Sequence, residues 1–125
     1  MDFRTFLQNN IVVFDGAFGT LLQQRTRRAG TLPEKLNLDE PEVIASIHRD
    51  YVRAGADVIT ANTFGANEKK TGSRELSEKI IRAGIRLARM EAGDKFVALD
   101  IGPIGQLLEP MGSLSFEAVS YTHLT

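Results

Sequence analysis

The chain has 125 residues, 42% of them apolar, and is long enough to form one domain around one core. Its 15 basic and 16 acidic residues give a net charge of −1 without a block of like charge, which gives no support to nucleic-acid binding or to an anionic membrane surface as a partner. No apolar run is long enough to span a membrane and the N-terminus lacks a signal-peptide pattern, so we expect a soluble, cytoplasmic protein.

A short amphipathic segment at residues 2–9 precedes the stretch around which the sequence is organised. The apolar run Ile11–Phe14 predicts a strand that is buried on both faces, as in a parallel sheet. The strand ends at Asp15, Gly16 and Gly19, an arrangement with which α/β folds present a ligand site. An equally good interpretation is a simple turn in which Asp15 caps the following helix.

Helices and a loop separate the predicted strands. The first helix covers residues 21–28, whereas residues 31–40 have no clear period and predict a loop. A second helix begins at Pro41 and ends at Gly55, and a third covers residues 74–92. The apolar stripes predicted to face the core are Ile44, Ile47, Tyr51 and Ala54 in the second helix and Leu76, Ile80, Ala83, Leu87 and Met90 in the third.

Two further buried strands are predicted at residues 57–61 and 96–99. Polar residues follow both strands directly: Asn62 and Thr63 follow the first, and Asp100 follows the second. Because the carboxyl ends of parallel strands meet at one edge of a sheet, this recurrence predicts a site on that face.

The alternation of strands and helices predicts an α/β fold of parallel βα units with right-handed crossovers. A TIM (β/α)₈ barrel and an open doubly wound sheet both fit this order of elements. Residues 104–113 predict a long loop, and residues 114–119 open a further helix. No G-x-G-x-x-G follows a strand and no P-loop is present, so nucleotide binding has little support.

Five ordered motifs resemble the homocysteine S-methyltransferase family, most of all the N-terminal homocysteine-binding domains of cobalamin-dependent methionine synthases. The motifs are Phe14–Thr20, Leu32–Asn37, Ile47–Asp57, Thr60–Asn67 and Asp100–Pro103. The resemblance implies a TIM barrel with a zinc ion, held by three cysteine thiolates, that binds and activates the homocysteine sulfur. It also implies a methyl donor, methylcobalamin or a related compound, and partner domains of the parent chain that bind folate and cobalamin.

The resemblance places homocysteine at the Asp-Gly pair, Asp15 and Gly16. It implies that Asp15 accepts hydrogen bonds from the substrate ammonium and that the backbone N–H groups of Gly16, Ala17 and Phe18 bind the carboxylate. Three further residues match family motifs near the site, namely Asn62, Thr63 and Asp100. His48 lies in the middle of a predicted helix, and we interpret it as structural.

The sequence also departs from the family pattern. A TIM barrel needs about 250 residues, and this sequence offers three strands and no cysteine. We therefore interpret residues 1–119 as the N-terminal part of an incomplete homocysteine-binding barrel, inactive alone, and residues 120–125 as a tail foreign to the family. Two alternatives are a small α/β module that binds an amino acid or small anion without catalysis, and a truncated chain without function.

Overall fold

The structure is a computed structural model that describes residues 1–103 and Gly112. In this part of the chain two short strands pair in parallel, with Val58 opposite Phe96 and Thr60 opposite Ala98, so the predicted parallel α/β class is confirmed. The elements are α1 (Phe3–Asn9), α2 (Gly19–Arg25), a 3₁₀ turn (Pro33–Lys35), α3 (Leu36–Asp39), α4 (Pro41–Arg53), β1 (Val58–Thr60), α5 (Glu68–Thr71), α6 (Arg74–Ala92) and β2 (Phe96–Ala98). The elements predicted beyond residue 103 lie outside the described residues.

The segment Ile11–Phe14 was predicted to be buried on both faces, and this prediction is wrong. Ile11 is 91% exposed, and Val13 and Phe14 are about half exposed. Phe14 forms a single parallel bridge with Val58, supported by a hydrogen bond of 3.2 Å from the Val58 N–H to the Val13 carbonyl. The segment therefore runs beside β1 as predicted, but none of the described residues covers its other side.

The helix α6 crosses from the end of β1 to the start of β2 and has the predicted bounds. The Ser73 hydroxyl caps it by accepting the Leu76 N–H, and Gly93, with φ of +59°, ends it. The predicted apolar stripe is confirmed only in part, because Ile80 is fully buried and Leu87 packs against the core, whereas Met90 is 70% exposed. Small residues dominate the buried face, and a Cβ atom at Gly84 would lie only 2.7 Å from Asn37 Nδ2.

The helix α4 follows its prediction more closely. It begins at Pro41, and Ile44 and Ile47 are fully buried in a cluster that also includes Leu22 and Leu36. Ala54 was predicted to face the core but is exposed, because the chain leaves the helix there and Gly55 turns it with φ of +106°.

Residues 33–39, which lie within the loop predicted at residues 31–40, are helical. The helix α2 ends at Arg25, three residues before its predicted end, because the Glu40 carboxylate binds the hydroxyl of Thr26 and the N–H of Arg27, the latter at 3.2 Å. Burial of Leu36 and Asn37 then fixes the following turns, although the segment lacks an apolar period. The sequence around Thr26 and Arg27 does not reveal that the distant Glu40 binds them.

The strand β2 is less buried than predicted. Its residues are half-buried and Leu99 is exposed. The rings of Phe3 and Phe6 in α1 cover one part of it, at 5.0 and 5.3 Å from the ring of Phe96. No helix in the described part of the chain is both long enough and apolar enough to cross a membrane.

We expect the isolated 125-residue chain to associate or to remain molten, because the Ile11–Phe14 edge carries exposed apolar side chains and backbone groups that have no partner among the described residues. Sedimentation velocity and amide NMR test this expectation. A Val13→Lys substitution at the edge is expected to reduce association, whereas Met90→Lys, on an exposed helix face, is expected to leave it unchanged. A monodisperse wild-type monomer with a cooperative melt and dispersed amide signals would contradict the prediction.

Candidate functional site

A cavity of about 370 Å³ lies where Ile11–Phe14, β1 and β2 end. All the residues predicted for the site except Ala17 line it, namely Asp15, Gly16, Phe18, Asn62, Thr63 and Asp100. The other lining residues are Gly19, Pro33, Glu34, Thr60, Ala61 and Phe64. The polar residues that follow three separate segments are thus brought to one place.

The Asp15 carboxylate is held by a single residue of β1. Thr60 donates its backbone N–H to Oδ2 at 2.9 Å and its hydroxyl to Oδ1 at 2.8 Å. The alternative interpretation of Asp15 as a helix cap is wrong, because α2 begins after Phe18 and has no side-chain cap. Each carboxylate oxygen keeps acceptor capacity after one hydrogen bond, so Asp15 is oriented and still able to bind a cationic donor.

The loop Gly16–Phe18 rests on two residues of α4. Tyr51 donates its hydroxyl to the Ala17 carbonyl, and a Cβ atom at Gly16 would lie 3.2 Å from the Tyr51 oxygen. The ring of His48 lies 5.4 Å from that of Phe18. The N–H groups of the three loop residues find no acceptor within the described part of the chain. These three residues follow Asp15 directly in the chain, and Gly16 and Phe18 line the same cavity as Asp15.

Beneath this loop, His48 is fully buried. Neither ring nitrogen has a hydrogen-bond partner in the portion of the chain that the structure covers. Burial lowers the pKa of His48, and the charges of Asp15 and Glu91 oppose this effect only in part. The ring is therefore neutral near pH 7, and it does not line the cavity.

Asn62 and Thr63 use their side chains to join the walls of the cavity. Asn62 donates to Asn37 Oδ1 at 3.0 Å and to the Pro33 carbonyl at 3.1 Å, while Asn37 donates to the Asn62 carbonyl at 2.8 Å. The Thr63 hydroxyl donates to the Asp100 carbonyl at 2.7 Å and accepts the Asp100 N–H at 3.1 Å. These contacts join the walls of the cavity and occupy the Asn62 amide nitrogen and the Thr63 hydroxyl, two of the groups that the sequence suggested for the site.

Sequence reasoning missed Glu34, which lines the cavity and is only 7% exposed. Its carboxyl packs against Gly65, where a Cβ atom would lie 2.3 Å from Oε1. Burial raises the pKa of Glu34, and nearby backbone N–H groups and the Lys70 ammonium offset this only in part. Glu34 lies within the family motif Leu32–Asn37, but it was not assigned to the site because the segment was interpreted as a loop.

The electrostatic character of the cavity is acidic. Asp15, Glu34 and Asp100 line it, whereas no lysine or arginine among the described residues does. Such a lining favours a ligand with a cationic group. Within residues 1–103, no three or more carboxylate or histidine side chains are grouped so that they could hold a metal ion.

Comparisons with known proteins identify similar sequences and structures. The family model described as homocysteine S-methyltransferase matches residues 12–125. The methionine synthases of Mycobacterium tuberculosis and Mycobacterium leprae are 31% and 33% identical over 94% and 90% of this chain. This chain spans only 11% of the length of either protein.

Solved structures that resemble this chain come from a homocysteine methyltransferase. The homocysteine methyltransferase MmuM from Escherichia coli is 29% identical and matches 82% of this chain in both its metallated form, with a TM-score of 0.72, and its oxidized form, with a TM-score of 0.71. The chain spans 41% of the length of MmuM.

The burial of His48 predicts a pH dependence of stability. Because the folded state lowers its pKa, the unfolded chain takes up a proton at a higher pH, near 6.5, than the folded chain does. The free energy of unfolding should therefore fall as the pH drops below about 6.5, by up to about 1.4 kcal/mol for each unit by which the pKa is lowered. Denaturant melts of the full-length protein at pH 7.5 and 5.5 measure this loss.

The variant His48→Leu should lose less stability than the wild type over the same pH interval, because it has no proton to take up at this position. Equal losses in the two proteins would show that His48 does not contribute to the pH dependence.

Proposed function

The chain belongs to the homocysteine S-methyltransferase family, and we propose that it forms the substrate-binding front of a domain that transfers a methyl group to homocysteine. The observation that carries the proposal is a held carboxylate at a cavity, followed in the chain by a loop whose backbone N–H groups have no acceptor among the described residues. Asp15 supplies the acceptor, and the Gly16–Phe18 loop supplies the N–H groups. This pair of features is complementary to the ammonium and carboxylate of an amino acid.

In the proposed complex the residues of this chain bind and orient the amino-acid end of homocysteine. Asp15 accepts from the ammonium while Thr60 keeps its carboxylate in one orientation. The N–H groups of Gly16, Ala17 and Phe18 bind the substrate carboxylate, and Tyr51 holds their loop through the Ala17 carbonyl. Fixing one end of the substrate restricts where its sulfur lies, which is how positioning contributes to a transfer reaction.

We further propose that the described strands are the first part of a TIM barrel within a longer protein. A complete barrel has about 250 residues, and the chain spans 11% of the two mycobacterial methionine synthases and 41% of MmuM. The partners proposed for it are the folate- and cobalamin-binding domains of such a parent chain, in the cytoplasm.

Zinc and methylcobalamin are proposed only because the family resemblance implies them. The sequence contains no cysteine, and its described residues offer no cluster of three metal ligands, so they do not fit the three-thiolate zinc site that the family implies. We assign the zinc ligands to other residues of a longer protein and derive no step through the metal. An amino-acid-binding module without catalysis is therefore the second candidate for the chain alone.

In the full-length protein, Asp15→Asn is expected to weaken homocysteine binding by roughly 1–3 kcal/mol, because the ammonium loses a charged acceptor. Isothermal titration calorimetry measures the change. Thr60→Val, which removes one hydroxyl donor to Asp15 but keeps its charge, serves as the matched variant and should cost less. Unchanged affinity in Asp15→Asn would refute the role proposed for Asp15.

The 125-residue chain alone is expected to bind no zinc tightly and to transfer no methyl group, because His48 and His123 cannot supply a three-ligand site. Metal analysis after dialysis against a mild chelator tests the first expectation, and an assay for methionine formation tests the second. Stoichiometric zinc that survives the dialysis would contradict it.

A further inference from the structure

Glu34 is a buried acidic residue that lines the cavity. The residue is 7% exposed, and its carboxyl forms no ion pair with any residue that the structure describes. Lys70 acts on it only through its field, while Lys70 Nζ lies 5.5 Å from the centre of the Phe64 ring. The Glu34 carboxyl packs against Gly65, and the backbone N–H groups of Glu34 and Gly65 offset the effect of burial on its pKa only in part.

The burial of Glu34 opposes the ionised form of its carboxyl. Burial raises the folded pKa of Glu34 above the ordinary value of 4.5. The stabilisation from this residue is therefore present below pH 4.5 and is lost as the pH rises through the raised pKa. A buried acid that destabilises the fold when ionised, and that lines a cavity, is typical of a functional residue.

We propose that Glu34 is a second anchor for the substrate ammonium, at the same cavity as Asp15, and that it selects amino thiols over thiols without an amine. The inference rests on the proposed function and adds a residue to it.

The hydrogen-bond inventory of the cavity supports a second acceptor. Both oxygens of Asp15 already accept a hydrogen bond from Thr60, whereas an ammonium group offers three donors. Of the two other acidic side chains, Asp100 is more exposed than Glu34. Water screens a buried charge less than an exposed one, so Glu34 is the stronger partner for a cation inside the cavity.

The experiment compares Glu34→Gln with Glu40→Gln in the full-length protein. Both glutamates are 7% exposed, but Glu40 binds Thr26 and Arg27 and does not line the cavity. Calorimetry measures binding of homocysteine and of 4-sulfanylbutanoate, which has the same thiol and carboxylate but no amine. A thermal melt at pH 7.5 accompanies each variant.

We expect Glu34→Gln to bind homocysteine about 10- to 100-fold more weakly, the usual effect of losing a hydrogen bond to a charged group, and to bind 4-sulfanylbutanoate within about twofold of the wild type. Its melting temperature should not fall, because the amide keeps the oxygen next to Gly65 and removes the costly charge. Glu40→Gln should melt earlier and keep the wild-type ratio of the two affinities.

Several results would overturn the inference. An equal loss for both ligands, or a Glu34→Gln variant that fails to fold, would assign the charge a structural role. Wild-type affinity for homocysteine in Glu34→Gln would remove Glu34 from the site while leaving the proposed function intact. Absence of homocysteine binding to the wild-type protein would instead refute the proposed function itself, and the inference with it.

Discussion

The two hydrogen bonds between Thr60 and the Asp15 carboxylate are the constraint on which the site depends. They join the end of the Ile11–Phe14 segment to the end of β1, which otherwise share one bridge at Phe14 and a few backbone hydrogen bonds. A carboxylate held at both oxygens has little freedom to turn, so its charge faces the cavity in one direction. The same contact fixes where the Gly16–Phe18 loop begins.

The helix α4 holds the Gly16–Phe18 loop from the other side. His48 and Tyr51 lie one turn apart on it, and each contacts the loop, one through the Phe18 ring and the other through the Ala17 carbonyl. Because Ile44 and Ile47 on the same helix are fully buried, the helix is anchored in the core and its contacts hold the loop still. Rigid elements thus position a site whose own backbone is irregular.

The sequence predicted long, periodic elements well and distant contacts poorly. The bounds of α6 follow from Ser73, Gly93 and the helical period between them, and the start of α4 follows from Pro41. Glu40 and Glu34 illustrate the limit, since one ends α2 from thirteen residues away and the other lines the cavity from a segment without a period. A local sequence pattern does not show which distant group a side chain will contact in the folded protein.

The same limit applies to the predicted site residues. Asp15, Asn62, Thr63 and Asp100 were found because strand ends converge in parallel sheets, and the structure places all four at one cavity. It also shows that the side chains of Asn62 and Thr63 are occupied by contacts within the protein, with Asn37 and with Asp100. Which of several converging polar groups remains free for a ligand depends on tertiary hydrogen bonds that spacing does not reveal.

The open edge at Ile11–Phe14 has a consequence for synthesis on the ribosome. In the proposed barrel the neighbour that covers this edge is translated more than a hundred residues later, since a barrel takes about 250 residues. At about 5–20 residues per second, the nascent chain would expose Ile11 and Val13 for roughly ten seconds or longer before the barrel closes. A chain of this kind is a natural client for chaperones that shield apolar strands during translation.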